Sequence, residues 1–512
     1  MASETILLEI DWDNDGTFGH ASSDISADVL EIPNYDYGRD FASQLYGRST
    51  AGSMTVVLMN DDAKYTEANT GSPIFGKILP NRRVRLKSST NGGGSTVQWH
   101  GYLDDIIAVP GMGGMNEAVL SAFGVLAKIN ARKSYLGPSG TVLSGAAVTN
   151  ILDSIGFPAA DRIIDTGLLT MARHFVPGLW GADALQRVEE TEAGFIRESR
   201  DAEIVFEDRH HRLSGAHLTS QVTYSDAAGA AIFMQSAPPG NSLKLVVNIV
   251  RAKVIRQTIA SIATLWTLPE TGANSPEIFP GQSITFIAQY PTPDAPTRDI
   301  GVAVWTTPAV TTDYLANSQS GGGGTNLTAD VGIAVVKAVE TMEITVTNNH
   351  ASTIMFLTKL AARGTALQAE HEVWVQHKDT ASITDFDERE YVIPAEFLPD
   401  TGQALDYCRY IAALNAQPVP MVPISYIANE TQAAMDDAHA RDISDRVTLT
   451  LDNLTALSID QDMFVERKAD TIDRDGVHTV RLELSDVSTG LGRVLVLDTG
   501  PGLDTGMLGY GA

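Results

Sequence analysis

The sequence is short of cysteine, of positive charge and of long apolar runs, and each shortage closes off a class of protein. One cysteine, Cys408, stands among 512 residues, so no intramolecular disulfide framework exists. It falls on the apolar stripe of a predicted helix, where a thiol is core filler rather than a nucleophile. Met1–Ile10 has no basic region followed by a long apolar stretch, so neither a signal peptide nor a membrane span is expected. The chain is thus read as assembled in a cytoplasm, where the Asn-x-Thr triplets at Asn326, Asn429 and Asn453 carry no glycosylation meaning. Lysine and arginine number 36 against 63 acidic residues, a net charge of −27 that repels phosphate and argues against ordinary nucleic-acid binding. Catalytic signatures are missing too. There is no His-Glu-x-x-His, no Gly-x-Ser-x-Gly and no Walker loop, and Gly47–Gly52 is one residue too long for a nucleophile elbow. The expectation is a protein that is not an enzyme.

What is present points to a β-rich chain of several domains. Hydrophobic residues make up 43% of the chain and glycines number 44, with Val, Ile, Thr and Leu in short runs between turns. Ile6, Leu8, Ile10 and Trp12 alternate with Thr5, Leu7, Glu9 and Asp11, the period of a half-buried strand. Further strands are predicted at 53–59, 83–87, 97–103 and 118–122, separated by Asn91–Gly94 and Pro110–Gly114, so residues 1–130 read as a small barrel or sandwich. Residues 131–215 read as an α/β unit. Ser144 is placed to cap a helix with Ala147, Val148, Ile151, Leu152 and Ile155 on one face; a second helix spans about 182–193, and a hairpin joins 195–198 to 204–206. Residues 257–369 read as an inserted β-sandwich with strands at 283–288, 302–305 and 342–347. Its Ser320–Gly324 run is a loop, since no Lys-Ser/Thr pair follows to cradle phosphate. Asp400 and Gln403 predict a capped helix through about 416; strands follow at 446–451, 463–466 and 478–484. Residues 489–512 are glycine-rich and are expected to be an exposed tail.

Four groups of residues invite chemistry. Asp11, Asp13 and Asp15, followed by Gly16, match the opening of a Ca²⁺ loop, although position twelve is Ser22 and a strand precedes it; a polar turn explains the same residues. His210 and His211 are adjacent on an extended segment and point apart, so they do not share one ion. Arg82, Arg83, Arg85 and Lys87 form the densest basic run, a solvated strand face or one that pairs with an acidic neighbour across a subunit interface. Trp266 and Trp305 lie in 257–350, where they serve either a sandwich core or sugar recognition.

Taken in order, several segments resemble minor tail or tail-hub proteins of siphophages. They are Leu7–Gly16, Gly38–Arg48, Asn60–Tyr65, Ser72–Gly76, Leu79–Arg82, Trp99–Asp104, Ile204–Leu213, Thr347–Ala351 with Ala362–Thr365, and Phe464–Glu466 with His478–Val480. The resemblance implies a fold similar to baseplate hubs: mainly β with α+β parts, in which two tube-type β-barrel hub domains accompany an α/β domain and an inserted β-sandwich. On this reading 1–130 is the first barrel and 216–256 with 370–488 the second. The resemblance further implies a structural hub subunit at the virion tail tip, assembled in the host bacterial cytoplasm. It implies a homotrimer whose pseudo-sixfold ring gives DNA a passage during ejection, and neighbours that include a distal tail protein, a tape measure protein and tail fibre or spike proteins. An Asp- and Glu-lined passage would leave DNA without adhesive contacts. The second reading is a tail-tip adhesin that binds a host receptor or glycan through 257–350, and the third is a tail-associated cell-wall hydrolase.

Overall fold

A computed structural model of the chain describes residues 2–39, 49–111, 116–137, 140–171, 174–238, 240–241, 243–269, 272–291, 298–393, 397–398, 400–418, 420–451 and 459–487. The predicted tail at 489–512 and most of the Gly38–Arg48 segment lie outside these residues.

Six strands come first: β1 (Glu4–Ile10), β2 (Val29–Arg39), β3 (Ser49–Met59), β4 (Arg83–Thr90), β5 (Thr96–Val109) and β6 (Glu117–Phe123). The alternation read from the sequence sets their faces, since Leu8, Ile10 and Trp12 are fully buried. The α/β unit follows with α1 (Val125–Ile129), β7 (Lys133–Leu136), β8 (Val142–Leu143), α2 (Ser144–Ser154), β9 (Arg162–Ile164), β10 (Thr170–Met171), β11 (Val176–Trp180), α3 (Gly181–Glu192), β12 (Phe195–Glu198) and β13 (Ile204–Glu207). Ser144 does not cap α2. It is the first helical residue, and its hydroxyl donates instead to the buried Glu192 carboxylate at 2.7 Å. Helix α3 stops where Ala193 turns left-handed (φ 56°).

After β14 (Thr223–Ser225) and β15 (Gly240–Asn241), the 19-residue strand β16 (Ile249–Thr267) runs out to the insertion. The insertion holds β17 (Glu277–Ile278), β18 (Ser283–Gln289), β19 (Asp299–Thr306), β20 (Tyr314–Asn317), β21 (Val331–Lys337) and β22 (Thr341–Asn348), and the 24-residue β23 (Met355–Lys378) brings the chain back. The chain closes with α4 (Thr380–Phe386), β24 (Glu390–Ile393), α5 (Thr401–Asn415), β25 (Pro420–Ile427), α6 (Gln432–Ala440), β26 (Arg446–Leu451), β27 (Ile459–Ile472) and β28 (His478–Asp486). Asp400 caps α5 as predicted, its carboxylate accepting the N–H groups of Gly402 and Gln403.

The molecule is mainly β. One twelve-stranded sheet runs β1-β4-β5-β6-β3-β2-β27-β28-β25-β15, with β26 beside β27 and β14 beside β26. It therefore joins the first strands of the chain to the last. A single core underlies both halves, taking Leu8, Trp12, Val56 and Trp99 from one and Tyr426, Val447, Met463 and Leu482 from the other. A second core packs the α/β unit against Val250, Val254 and the buried face of α5, including Cys408. Burial pushes that thiol up to about 12, which keeps it protonated and inert. In the insertion, β17, β19 and β20 pair with β23, while β18, β22 and β21 form a separate sheet, and a third core lies among them. The boundaries drawn from sequence at 256/257 and 369/370 fall inside β16 and β23, because the ribbon of these two strands is continuous from the body into the insertion. Among the described residues, no helix is long and apolar enough to cross a membrane.

Candidate functional site

The seam between the two halves of the large sheet is where distant chain segments are forced together. There β2 runs antiparallel to β27, with Tyr35 opposite Asp470, Asp36 opposite Ala469, Tyr37 opposite Lys468 and Gly38 opposite Arg467. Gly38 has φ 128°, and a Cβ on it would meet the Glu466 carbonyl oxygen at 2.6 Å and the Arg467 Cα at 2.7 Å. Only glycine fits both that conformation and that approach.

Two buried charge clusters secure this arrangement. The first lies where the sheet meets the α/β unit. Glu466 pairs with Arg39 and, at 2.7 Å, with Arg212; Arg197 pairs with Glu207 at 2.7 Å and lies 3.6 Å from Asp442. Ser444 donates to Glu207 and accepts from Arg212 at 3.1 Å. Phe195 lies between two of the guanidiniums, 3.5 Å from Arg39 and 5.2 Å from Arg212 to the ring centroid. Burial opposes ionisation of Glu207, but Arg197, Arg212 and His211 overcome it and hold the carboxyl down to about 2. Burial, only partly offset by Glu207, lowers Arg212 to about 10. Three cations thus face Glu207, Glu466 and Asp442, and neutralisation rather than reactivity is what the set achieves.

The second cluster ties β1 to the far end of β27 and β28. His478 is fully buried, with Nδ1 3.1 Å from Glu4 and Nε2 3.1 Å from Asp470. Burial disfavours its charge, yet bonds to Asp470 and Glu4 raise it to about 9, so at neutral pH it is an imidazolium linking two carboxylates. Nearby, the Ala2 N–H donates to the Asn429 carbonyl at 3.0 Å, and His439 of α6 reaches Ser88 of β4 at 2.9 Å. The edge formed by β1 and β4 is therefore covered by the last quarter of the chain, not left open. A third buried carboxylate, Glu198, accepts the N–H of Leu126 at 3.0 Å and that of Gly52, and burial pushes it up to about 7 against those bonds.

The residues singled out by sequence take up other duties. Asp11 is buried, and its two carboxylate oxygens accept the N–H groups of Asp15 and Gly16; Asp15 accepts from Thr17, and Asp13 is paired with Lys77. With Asp11 accepting amides on both oxygens and Asp13 paired with Lys77, the bonding is that of the polar turn that explains the same residues. Among the described residues no group of three or more His, Cys, Asp or Glu side chains is arranged to hold a metal. His211 bonds Asp165 at 2.8 Å, and His210 makes no common site with it. Arg85 and Lys87 pair within the chain, with Glu9 of the adjacent strand at 2.8 and 3.2 Å. Trp305 is buried and donates to the Ala338 carbonyl at 2.7 Å, and Trp266 packs on the same core half-exposed. Sequence reasoning missed Arg39, Arg212, Glu466 and His478 as a set. Their only local signal is a charged residue at an inward strand position, as at Glu466 and Asp470.

No family model and no curated protein matches the chain. Solved structures do. A tail protein from Neisseria meningitidis MC58 is 9% identical with TM-score 0.50, covering 95% of this chain and 98% of its own. The 43 kDa tail protein of prophage MuSo2 from Shewanella oneidensis is 11% identical with TM-score 0.47, covering 94% and 98%. Prophage tail protein gp18 from Listeria monocytogenes EGD-e is 8% identical with TM-score 0.41, covering 93% and 94%. The first of these carries the comparison: over nearly its whole length this chain has the fold of a tail protein, and the resemblance read from its sequence holds at the level of the fold.

Proposed function

We propose that the protein is a structural, non-enzymatic hub subunit of a phage-type tail tip, in which three copies close a ring around a passage for DNA. The observation that carries this reading is the seam, where two segments more than 400 residues apart continue one curved sheet over one core. Such a chain offers two wall segments, so three copies supply the six that match a sixfold tube. The likeness in fold to a tail protein supports the same reading. The passage is lined, in this proposal, by the sheet face turned from the core. Thr471 and Thr479 are cross-strand partners there, as are Thr55 and Ser121. Asp36 and Arg467 pair on that face. That face also carries the exposed Arg481 opposite Ala469, so the low adhesion this proposal requires rests on the net charge of −27 rather than on an acidic wall. Distal tail, tape measure and fibre or spike proteins are the neighbours such a ring would meet. Cryo-electron microscopy of intact tails decides the matter: three copies around an axial channel at the tip are expected, and a peripheral or single-copy position would overturn the reading.

A second reading, adhesion through the insertion, draws on its outward sheet. Ile287 and Val336 are exposed on either side of Glu343, beside the hydroxyl pairs Ser283–Thr347 and Thr285–Thr345. The buried Trp305 lends it no aromatic platform. Loss of adsorption with normal tail assembly after deletion of the insertion is the result this reading requires.

A further inference from the structure

One concave site runs against the charge of the whole molecule. A cavity of about 140 Å³ opens between the sheet and the α/β unit, and Arg83, Lys128 and Arg132 line it together with Tyr102, Phe157 and Asp161. The three cations come from different pieces of structure. Arg83 lies on β4 directly opposite Tyr102 of β5, Lys128 belongs to α1, and Arg132 follows that helix. Among the described residues none of the three has a carboxylate within ion-pair distance. Asp161, the one acidic group in the lining, leaves two positive charges unbalanced in a chain whose net charge is −27.

Two independent details mark the site as built. Arg132 is held in place, its Nη1 donating to the Ile155 carbonyl at 2.8 Å and the Gly156 carbonyl at 3.4 Å where α2 ends. Its position is thus fixed before any ligand arrives, which reduces the ordering cost of binding. Lys128 is steered by its ring contact, with Nζ 3.7 Å from the Tyr102 centroid. The electrostatics agree with the geometry. Burial first, then the positive charges of Arg83 and Arg132, lower the pKa of Lys128, in keeping with cations that outnumber the single carboxylate beside them.

We propose that this pocket binds an oxyanion of the phosphate class, held by Arg83, Lys128 and Arg132 between the sheet and the α/β unit. Two unbalanced charges match a phosphate dianion, guanidiniums supply paired donors to its oxygens, and the cavity has room for a phosphate group. The proposal does not depend on the tail-hub reading.

The test uses the full chain, titrated with inorganic phosphate and with glycerol phosphate at fixed ionic strength, chloride and acetate serving as controls. Thermal unfolding and calorimetry report binding. The expected result is a saturable rise in Tm with phosphate, and at least a tenfold weaker Kd in R83Q/K128M, whose unchanged circular dichroism shows that it folds. Lys128→Met keeps an apolar stem on Tyr102, and Arg132, which supports the end of α2, is left intact. A tighter response to inorganic phosphate than to glycerol phosphate assigns the site to the free ion, and the reverse order assigns it to an esterified headgroup. No response beyond that of chloride, a response to acetate of the same size, or an unchanged Kd in the variant would overturn the proposal.

Discussion

The body of the molecule and its insertion solve the same packing problem in opposite ways. The body stitches residues from both ends of the chain into one sheet over one core and locks the seam with buried ion pairs. The insertion holds a core of its own and meets the body chiefly along the ribbon of β16 and β23, where Ile259, Ile262, Val373 and Trp374 are exposed, while Val339 and Leu367 reach the second core. A domain that depends on contacts across the full sequence is expected to unfold as a unit. One attached by a two-stranded ribbon is expected to fail by itself. The contrast teaches that architecture resides in the seam and adaptability in the insertion.

The sharpest way to break the contrast is at Glu466. Replacing it with alanine leaves Arg39 and Arg212 buried without their shared counter-ion, and a loss of about 3–5 kcal/mol is expected in chemical denaturation of the body. Trp305→Ala should cost a comparable 3–5 kcal/mol, but only to the insertion. Calorimetry should then resolve an early transition while the main one keeps its Tm; a shift of both together would erase the distinction.

The pH dependence of the body has a definite sign in each range. Glu198 is raised in the folded state to about 7, so the stability tied to its protonated form declines as pH rises from the ordinary carboxylate range through 7. Fully expressed, that shift corresponds to about 3 kcal/mol. His478, raised to about 9, contributes fully below its ordinary value of 6.5, and its share is lost as pH climbs through 9. Glu207, held near 2, contributes fully above its ordinary value of 4.5, and its share is lost as pH falls from there through 2. Denaturation midpoints should therefore fall between about pH 7 and 9 as His478 discharges. Below that range His100 and His174, which burial lowers to about 4, add stability as pH rises and oppose Glu198, so Glu198→Gln should steepen the rise from about pH 5 to 6.5. Gly38→Ala is expected to cost roughly 1–3 kcal/mol through its left-handed backbone and its approach to Glu466. The smallest effect is expected at the Asp11 turn, where added Ca²⁺ should leave the Tm unchanged, since Asp11 and Asp13 are already engaged.

Local features of the fold were legible in the sequence because they depend on neighbours. The alternation at Leu8, Ile10 and Trp12, the Asp400 cap, the end of α3 near Gly194 and the strand at 446–451 all appear where periodicity and capping place them. Ser144 misled because a polar helix start suits a cap equally well or a buried bond to Glu192 from another element. The seam left almost no trace. Pairing Tyr35 with Asp470 leaves no periodic mark on either strand, and a glycine at position 38 looks like any turn residue until β27 is placed against it. The charge clusters were hidden for the same reason: each carboxylate meets its cation only through the tertiary fold.

The claim that the first and last strands form one wall is tested most directly by native-state hydrogen exchange read by mass spectrometry. Peptides covering β2 and β27 should exchange together in the slowest class, and Glu466→Ala should accelerate both equally, with the insertion exchanging earlier and independently. If β2 and β27 opened at clearly different free energies, or responded separately to that substitution, the two halves would be separate units and the account would be contradicted.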